Sequence, residues 1–222
     1  MKHQWKCGAA ALALASAAVL GMNAAQADGH RGGTLRLLAV AAQGTIDPQM
    51  NYAQQYWQIF SGIYDGLVTF KKVGGDDGNT IVPDIAEAIP EAQDGGKTYV
   101  FKIRKGIKFS NGKDLGVADV VASFQRIFKI SGPTAGTFYN VIVGADACLK
   151  TPASCTLDGG VVGDEAAGTV TIHLTQPDSE FFDKLALPHA AILPAETEAK
   201  DQGNDPIPST GAYMTVSYDP NK

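Results

Sequence analysis

Cys148 and Cys155 are the side chains whose spacing most directly indicates a chemical bond. They lie seven positions apart in a short segment, CLKTPASC, that contains one proline and several small residues. In an oxidising compartment this spacing favours a local disulfide. Metal ligation would require a closer pair with histidines nearby, and a redox motif would require two intervening residues. We therefore expect a Cys148–Cys155 disulfide.

The remaining polar residues lack the spacing that enzyme chemistry needs. No Gly-x-Ser-x-Gly stretch is present, and His30, His173 and His189 have no metal-binding partner three or four positions away. The acidic pairs Asp76-Asp77 and Asp164-Glu165 stand in polar segments, where solvated charge is the simpler explanation. The sequence therefore predicts no enzyme activity, no metal site and no cofactor.

Aromatic residues are concentrated in one segment and suggest a different role. The segment holds Tyr52, Tyr56, Trp57, Phe60 and Tyr64, and Phe138 and Tyr139 stand in a glycine-rich stretch further along. Helical spacing makes core packing the default for Phe60. Tyr52 precedes the helical run, at the carboxyl end of a predicted strand, where open α/β sheets bind ligands. We expect Tyr52 to contact a ligand.

These residues must be positioned by a scaffold that is clearest between residues 97 and 129. Residues 99–103 alternate apolar and polar side chains as a strand does, Lys105-Gly106 turns the chain, and residues 107–109 resume the apolar face. This pattern predicts a hairpin. An amphipathic helix then follows over Val117–Lys129, with Gly116 as its N-cap.

The rest of the chain alternates short predicted strands and helices. The predicted strands are Thr34–Val40, Leu67–Lys71, Thr169–Leu174, Ala190–Leu193 and Tyr213–Ser217. Predicted helical segments run from Tyr56 to near Gly66, from Pro83 to Ala88 and from Pro177 through Leu185, while Ser131–Gly168 is predicted to be mostly irregular.

The amino-terminal segment has the features of a secretory signal. Lys2 and Lys6 precede a short apolar run, and a small-residue pattern predicts cleavage after Ala27. Removal of these lysines changes the formal net charge from -5 to -7, which argues against a nucleic-acid partner. We expect a periplasmic or secreted protein.

Several ordered sequence blocks resemble one protein family. They are Gly33-Thr34-Leu35, Ile46-Asp47-Pro48, Tyr64-Asp65-Gly66-Leu67-Val68, Pro83-Asp84-Ile85-Ala86-Glu87, Lys105-Gly106-Ile107-Lys108-Phe109, Ala118-Asp119-Val120-Val121 with Phe124, and Thr210-Gly211-Ala212-Tyr213. Together they resemble the extracellular solute-binding proteins, family 5, of peptide, dipeptide and nickel ABC importers.

The resemblance implies an α/β fold of the periplasmic-binding-protein type II kind. The chain would hold part of the first lobe, with an inserted α+β subdomain, and the second lobe would lie outside it. The implied domains are a signal peptide at 1–27, the first-lobe main sheet at 28–46, the inserted subdomain at 47–168 and a truncated return to the first lobe at 169–222.

The resemblance also implies a function and a set of ligand-binding residues. The protein would capture oligopeptides or related solutes between two lobes and deliver them, as a monomer, to a membrane ABC permease. By position, the segment Asn51, Tyr52, Ala53 and Gln54 would line the cleft, because an extended segment can pair with a peptide backbone. Tyr139 and His189 are second candidates. The alternative is a secreted enzyme or metal-binding protein whose catalytic half lies beyond residue 222; a structural adhesin ranks third.

Overall fold

A three-stranded antiparallel sheet forms the centre of the part of the chain that this computed structural model describes, residues 33, 34, 36 and 44–220. Its strands are β3 (Thr98–Lys102), β4 (Val161–Asp164) and β5 (Thr169–His173), in the order β3-β5-β4. Val170 and Ile172 of β5 are fully buried, as their alternation predicts. The predicted strand at Thr169–Leu174 is confirmed.

The predicted hairpin over residues 99–109 is wrong. β3 pairs with β5, so Phe101 lies opposite Val170, and this pairing ends at Lys102 opposite Thr169. Residues 107–109 form no strand; Lys108 makes only an isolated bridge with Asp114. The alternating pattern specified which face is buried but not which strand is the partner.

Helix α2 (Val117–Lys129) has the bounds that the sequence predicts, and Gly116 is its N-cap. The Asp119 carboxylate accepts hydrogen bonds from the Gly116 N–H at 2.7 Å and the Ala195 N–H at 2.8 Å, which fixes the start of the helix. Its apolar face, including Phe124, is buried in the core.

The remaining elements are short. They are α1 (Gln54–Ile63), β1 (Val68–Phe70), β2 (Ile81–Pro83), α3 (Ala145–Lys150) and α4 (Phe181–Leu185), with 3-10 turns at Asp76–Asn79, Pro152–Ser154 and Pro188–Ala190. β1 and β2 form an antiparallel pair. The strand predicted at Leu67–Lys71 is confirmed as β1, and the helix predicted from Tyr56 is confirmed as α1 with an earlier start and end.

Four other segments differ from expectation. Residues 83–88 form β2's last residue and bends instead of a helical turn, and 131–168 contains α3 and β4. Residues 190–193 and 213–217 form no strands. Neither of these two runs has a strand partner within the described residues. Residues 190–193 are buried in the core without strand pairing, whereas Tyr213, Met214 and Val216 are exposed. The strand predicted at Thr34–Val40 lies outside the residues that the structure describes.

Two apolar clusters hold the described residues together. The larger joins the sheet to α2, α3 and α4, and the smaller packs α1 residues such as Phe60 against Ile46, Leu193 and Ile207. No helix in residues 44–220 combines the length and the apolar character that a membrane span requires.

Candidate ligand-binding segment

Residues 51–53, just before α1, form an irregular segment that Asn51 holds in shape. The Asn51 side chain donates to the Thr45 carbonyl at 2.6 Å and accepts from the Ala53 N–H at 2.8 Å. Ala53 has an extended backbone conformation and leads directly into Gln54, the first residue of α1. The Asn51 side chain is buried, whereas Tyr52 is 52% exposed.

An aromatic cluster supports this segment from beneath. Tyr52, Trp57 and Phe138 surround the imidazole of His189, with ring-centroid distances to it of 5.1, 5.1 and 6.5 Å. Tyr52 also meets Trp57 edge-on at 5.3 Å. Tyr52 therefore forms the solvent-facing side of a stacked group whose inner member is fully buried.

His189 connects the cluster to the segment by one hydrogen bond. Its Nε2 lies 3.1 Å from the Asn51 carbonyl oxygen, which can only accept, so Nε2 carries the proton. Burial lowers the pKa of His189 to about 4, against a smaller opposite effect of this hydrogen bond. The imidazole is therefore neutral at pH 7 and acts as a positioned donor.

A buried ion pair anchors the residues that precede the segment. Arg126 of α2 and Asp47 have side chains that are 5% and 0% exposed, and the Arg126 Nη2 lies 2.5 Å from the Asp47 Oδ2. Arg126 also donates to Gln49 Oε1 at 2.7 Å and to the carbonyls of Glu198 and Lys200. This network fixes the loop before Asn51 onto α2.

Of the predicted ligand-binding residues, Tyr52, Ala53 and Gln54 lie at or near the surface, and His189 lies directly below them. Tyr139 is fully buried, and its hydroxyl donates to the Lys184 carbonyl at 2.9 Å. Direct contact of a ligand with Tyr139 or His189 would require these rings to become accessible. Their roles, like those of residues 51–54, stay predictions.

Sequence reasoning missed the roles of Asp47, Gln49 and Arg126. Asp47 is identified from the sequence only as part of a family block, and an arginine on an amphipathic helix such as α2 is expected to face solvent. The sequence signal for the buried role of Arg126 is its position among apolar neighbours on an otherwise buried turn of the helix.

A groove of about 470 Å³ adjoins the segment along the exposed face of α1. Gln54, Trp57, Asp65 and Lys72 are among the residues that line it. Val68, Phe70, Leu187 and Pro188 contribute apolar walls. Its volume is within the usual range for sites that hold small molecules.

The two cysteines of the α3 region are joined as the sequence predicts. Cys148 and Cys155 form a disulfide with Cα atoms 4.5 Å apart, and both are buried. Among residues 44–220 no cluster of three or more histidine, cysteine, aspartate or glutamate side chains is arranged to hold a metal ion.

Comparison with known proteins identifies the family of this chain. A sequence model described as bacterial extracellular solute-binding proteins, family 5, middle, matches residues 80–222. The chain belongs to this family. The match includes α2, the three-stranded sheet and the segment that contains His189, so the family assignment covers most of the scaffold described above.

Individual family 5 relatives bind different solutes according to their names. The chain is similar to the probable deoxycholate-binding periplasmic protein of Escherichia coli K12, with 32% identity over 160 residues, or 71% of this chain and 28% of the relative. It is also similar to heme-binding protein A of Haemophilus influenzae, with 32% identity over 171 residues, or 70% of this chain and 29% of the relative.

The fold of a solved family 5 structure agrees with the prediction. The clavulanic acid biosynthesis oligopeptide binding protein 2 superposes with a TM-score of 0.72 and 29% identity, over 85% of this chain and 34% of that protein. The α/β fold of the periplasmic-binding-protein type II kind is thereby confirmed for this chain. The chain spans about a third or less of the length of these three proteins.

Proposed function

We propose that the full-length protein is the extracytoplasmic solute-binding component of an ABC importer. It captures a peptide-like solute between two lobes and delivers it, unaltered and as a monomer, to a membrane permease. Family 5 membership is the observation that carries this proposal. The names of the three similar proteins mention deoxycholate, heme and oligopeptide as solutes. The choice of a peptide-like solute is therefore a finer proposal than the solute-binding role itself.

Residues 51–54 are the proposed ligand-lining segment. Four hydrogen bonds hold Asn51, one of them from its N–H to the Asp47 carbonyl, so the backbone next to it is already in shape before a ligand arrives. A preorganised segment loses little conformational freedom on binding, which favours affinity. The half-exposed ring of Tyr52 then offers a flat apolar surface with a hydroxyl group.

The organisation of the longer protein is also a proposal. A signal peptide ends at Ala27, and the mature protein lies in the periplasm or is secreted. The segment 47–168 forms an inserted subdomain between parts of the first lobe. β5 pairs with β3 and β4, which both come from that segment, so we propose that the sheet of the subdomain continues to His173.

Calorimetric titration of the full-length protein with a peptide mixture tests the proposed function. We expect saturable heat, and we expect Tyr52→Ala to weaken binding about tenfold, because alanine removes the exposed ring and its stacking surface. Val73→Ala, which shortens another exposed apolar residue outside the segment, is the control and should bind normally. No detectable heat with any peptide, opine or metal chelate would refute the proposal.

A further inference from the structure

The aromatic ring of Tyr52 has one covered face and one open face. It lies 5.1 Å from the imidazole of His189, and the two ring planes differ by only 31°, so the rings are close to parallel. His189 is fully buried, whereas Tyr52 is 52% exposed. Because the imidazole covers one face of the Tyr52 ring, the exposure of Tyr52 belongs to its opposite face and its free edge.

Two further rings hold the Tyr52 ring at a fixed angle. Trp57 meets it at a centroid distance of 5.3 Å and an angle of 77°, and Phe138 approaches it at 6.1 Å and 55°. Together with the stacked imidazole of His189, these contacts restrict rotation of the side chain. A ring that is already held loses little freedom when another ring stacks on it, so more of the stacking energy contributes to affinity.

A row of aromatic contacts ties the Tyr52 ring to the core. Phe138 packs against Tyr139 at 6.3 Å, and Tyr139 packs against Phe124 of α2 at 6.3 Å. Tyr139 and Phe124 are both buried, and the Tyr139 hydroxyl donates to the Lys184 carbonyl at 2.9 Å. Tyr139 can therefore support Tyr52 through Phe138 without reaching a solute itself.

The backbone on both sides of Tyr52 is held as well. The Ala53 N–H donates to the Asn51 Oδ1 at 2.8 Å, which closes a short turn around Tyr52. The Asn51 carbonyl accepts from the His189 Nε2 at 3.1 Å. His189 thus positions the ring of Tyr52 by stacking and the preceding residue by a hydrogen bond.

We propose that the open face of Tyr52 is a stacking platform that selects peptides carrying an aromatic side chain. The inference rests on the proposed function and deepens it by naming the side-chain class that the solute presents to residues 51–54. An aromatic ring on this face gains about twofold to tenfold in affinity beyond the burial of apolar area. A saturated ring of similar size buries the same area without this gain.

Isothermal titration of the full-length protein with matched tripeptides tests the platform. Each peptide is an alanine tripeptide with phenylalanine at the first, second or third position, and its partner carries cyclohexylalanine at the same position. We expect phenylalanine to bind about twofold to tenfold more tightly than cyclohexylalanine at one of the three positions. The ratio of the two affinities is measured on one protein sample, so it does not depend on the fraction of protein that is correctly folded.

Two substitutions of Tyr52 separate the aromatic face from apolar bulk. Tyr52→Leu keeps an apolar side chain but removes the ring, so the affinity ratio should fall to about one. Tyr52→Phe keeps the ring and should keep the ratio. Tyr213→Leu is the matched control, because Tyr213 is also exposed, at 74%, and lies outside residues 51–54; this variant should have the ratio of wild type.

The results distinguish failure of the platform from failure of the proposed function. Equal affinities of the phenylalanine and cyclohexylalanine peptides at all three positions would overturn the platform and leave the importer function intact. A ratio that persists in Tyr52→Leu would do the same, because the selectivity would then come from another residue. Heat from a peptide mixture but none from the ring-bearing tripeptides also counts against the platform. Absence of heat from every peptide would overturn both proposals.

Discussion

Replacement of Asp47 by asparagine tests the role of the buried ion pair as the anchor of the proposed ligand-lining segment. The change removes the negative charge that faces Arg126, whose side chain is only 5% exposed. Breaking a buried pair from one side typically costs about 3–5 kcal/mol, because the other charge stays buried without compensation. Arg126 keeps Gln49 Oε1 and two backbone carbonyls as acceptors, so we expect the lower end, about 3 kcal/mol.

Urea denaturation of the full-length protein, followed by a signal from the first lobe, measures this loss of unfolding free energy. Asp114→Asn is the matched control, since the Lys108–Asp114 ion pair is on the surface and should contribute less than about 1 kcal/mol. A loss below about 1 kcal/mol for Asp47→Asn, equal to that of the control, would refute the assignment of the pair as an anchor.

Two other predictions concern His189 and the disulfide. Because the folded pKa of His189 is lowered to about 4, the neutral ring contributes stability above about pH 6.5 that is lost as the pH falls through 4. His189→Gln keeps an amide donor for Asn51 and does not titrate. Between pH 7 and pH 4, the unfolding free energy of wild type should therefore fall further than that of the variant, by up to about 3 kcal/mol. Parallel pH dependences would contradict the buried neutral ring. Replacing Cys148 and Cys155 together by serine should lower the unfolding free energy by about 2.5 kcal/mol, the chain-entropy value for so small a loop. Thermal melts with and without a thiol reductant should then coincide for the variant and differ for wild type.

Local patterns predicted the elements whose residues determine their own structure. α2 has a complete amphipathic face and an acidic residue in its first turn, so its bounds follow from its own sequence. β5 alternates strictly and is buried on one face, so it too was predicted. The disulfide required only a short spacing and an oxidising compartment.

Long-range pairing limited the remaining predictions. β3 alternates as a hairpin strand does, yet its partner is about seventy residues away, and nothing local indicates that distance. Residues 190–193 are as apolar as a strand, but they are buried without strand pairing. Residues 51–54 were selected by family resemblance, whereas the supporting contacts of Arg126 join α2 to two distant loops and could not be derived from spacing.

Calorimetric titration of the full-length protein with short peptides, followed by mass spectrometry of the recovered peptide, tests whether the protein binds a peptide without altering it. We expect saturable heat and a recovered peptide of unchanged mass, because the proposed binding component would hold its solute and transfer it unaltered. A covalently altered peptide, or no heat with any member of the peptide, opine and metal-chelate classes, would contradict it.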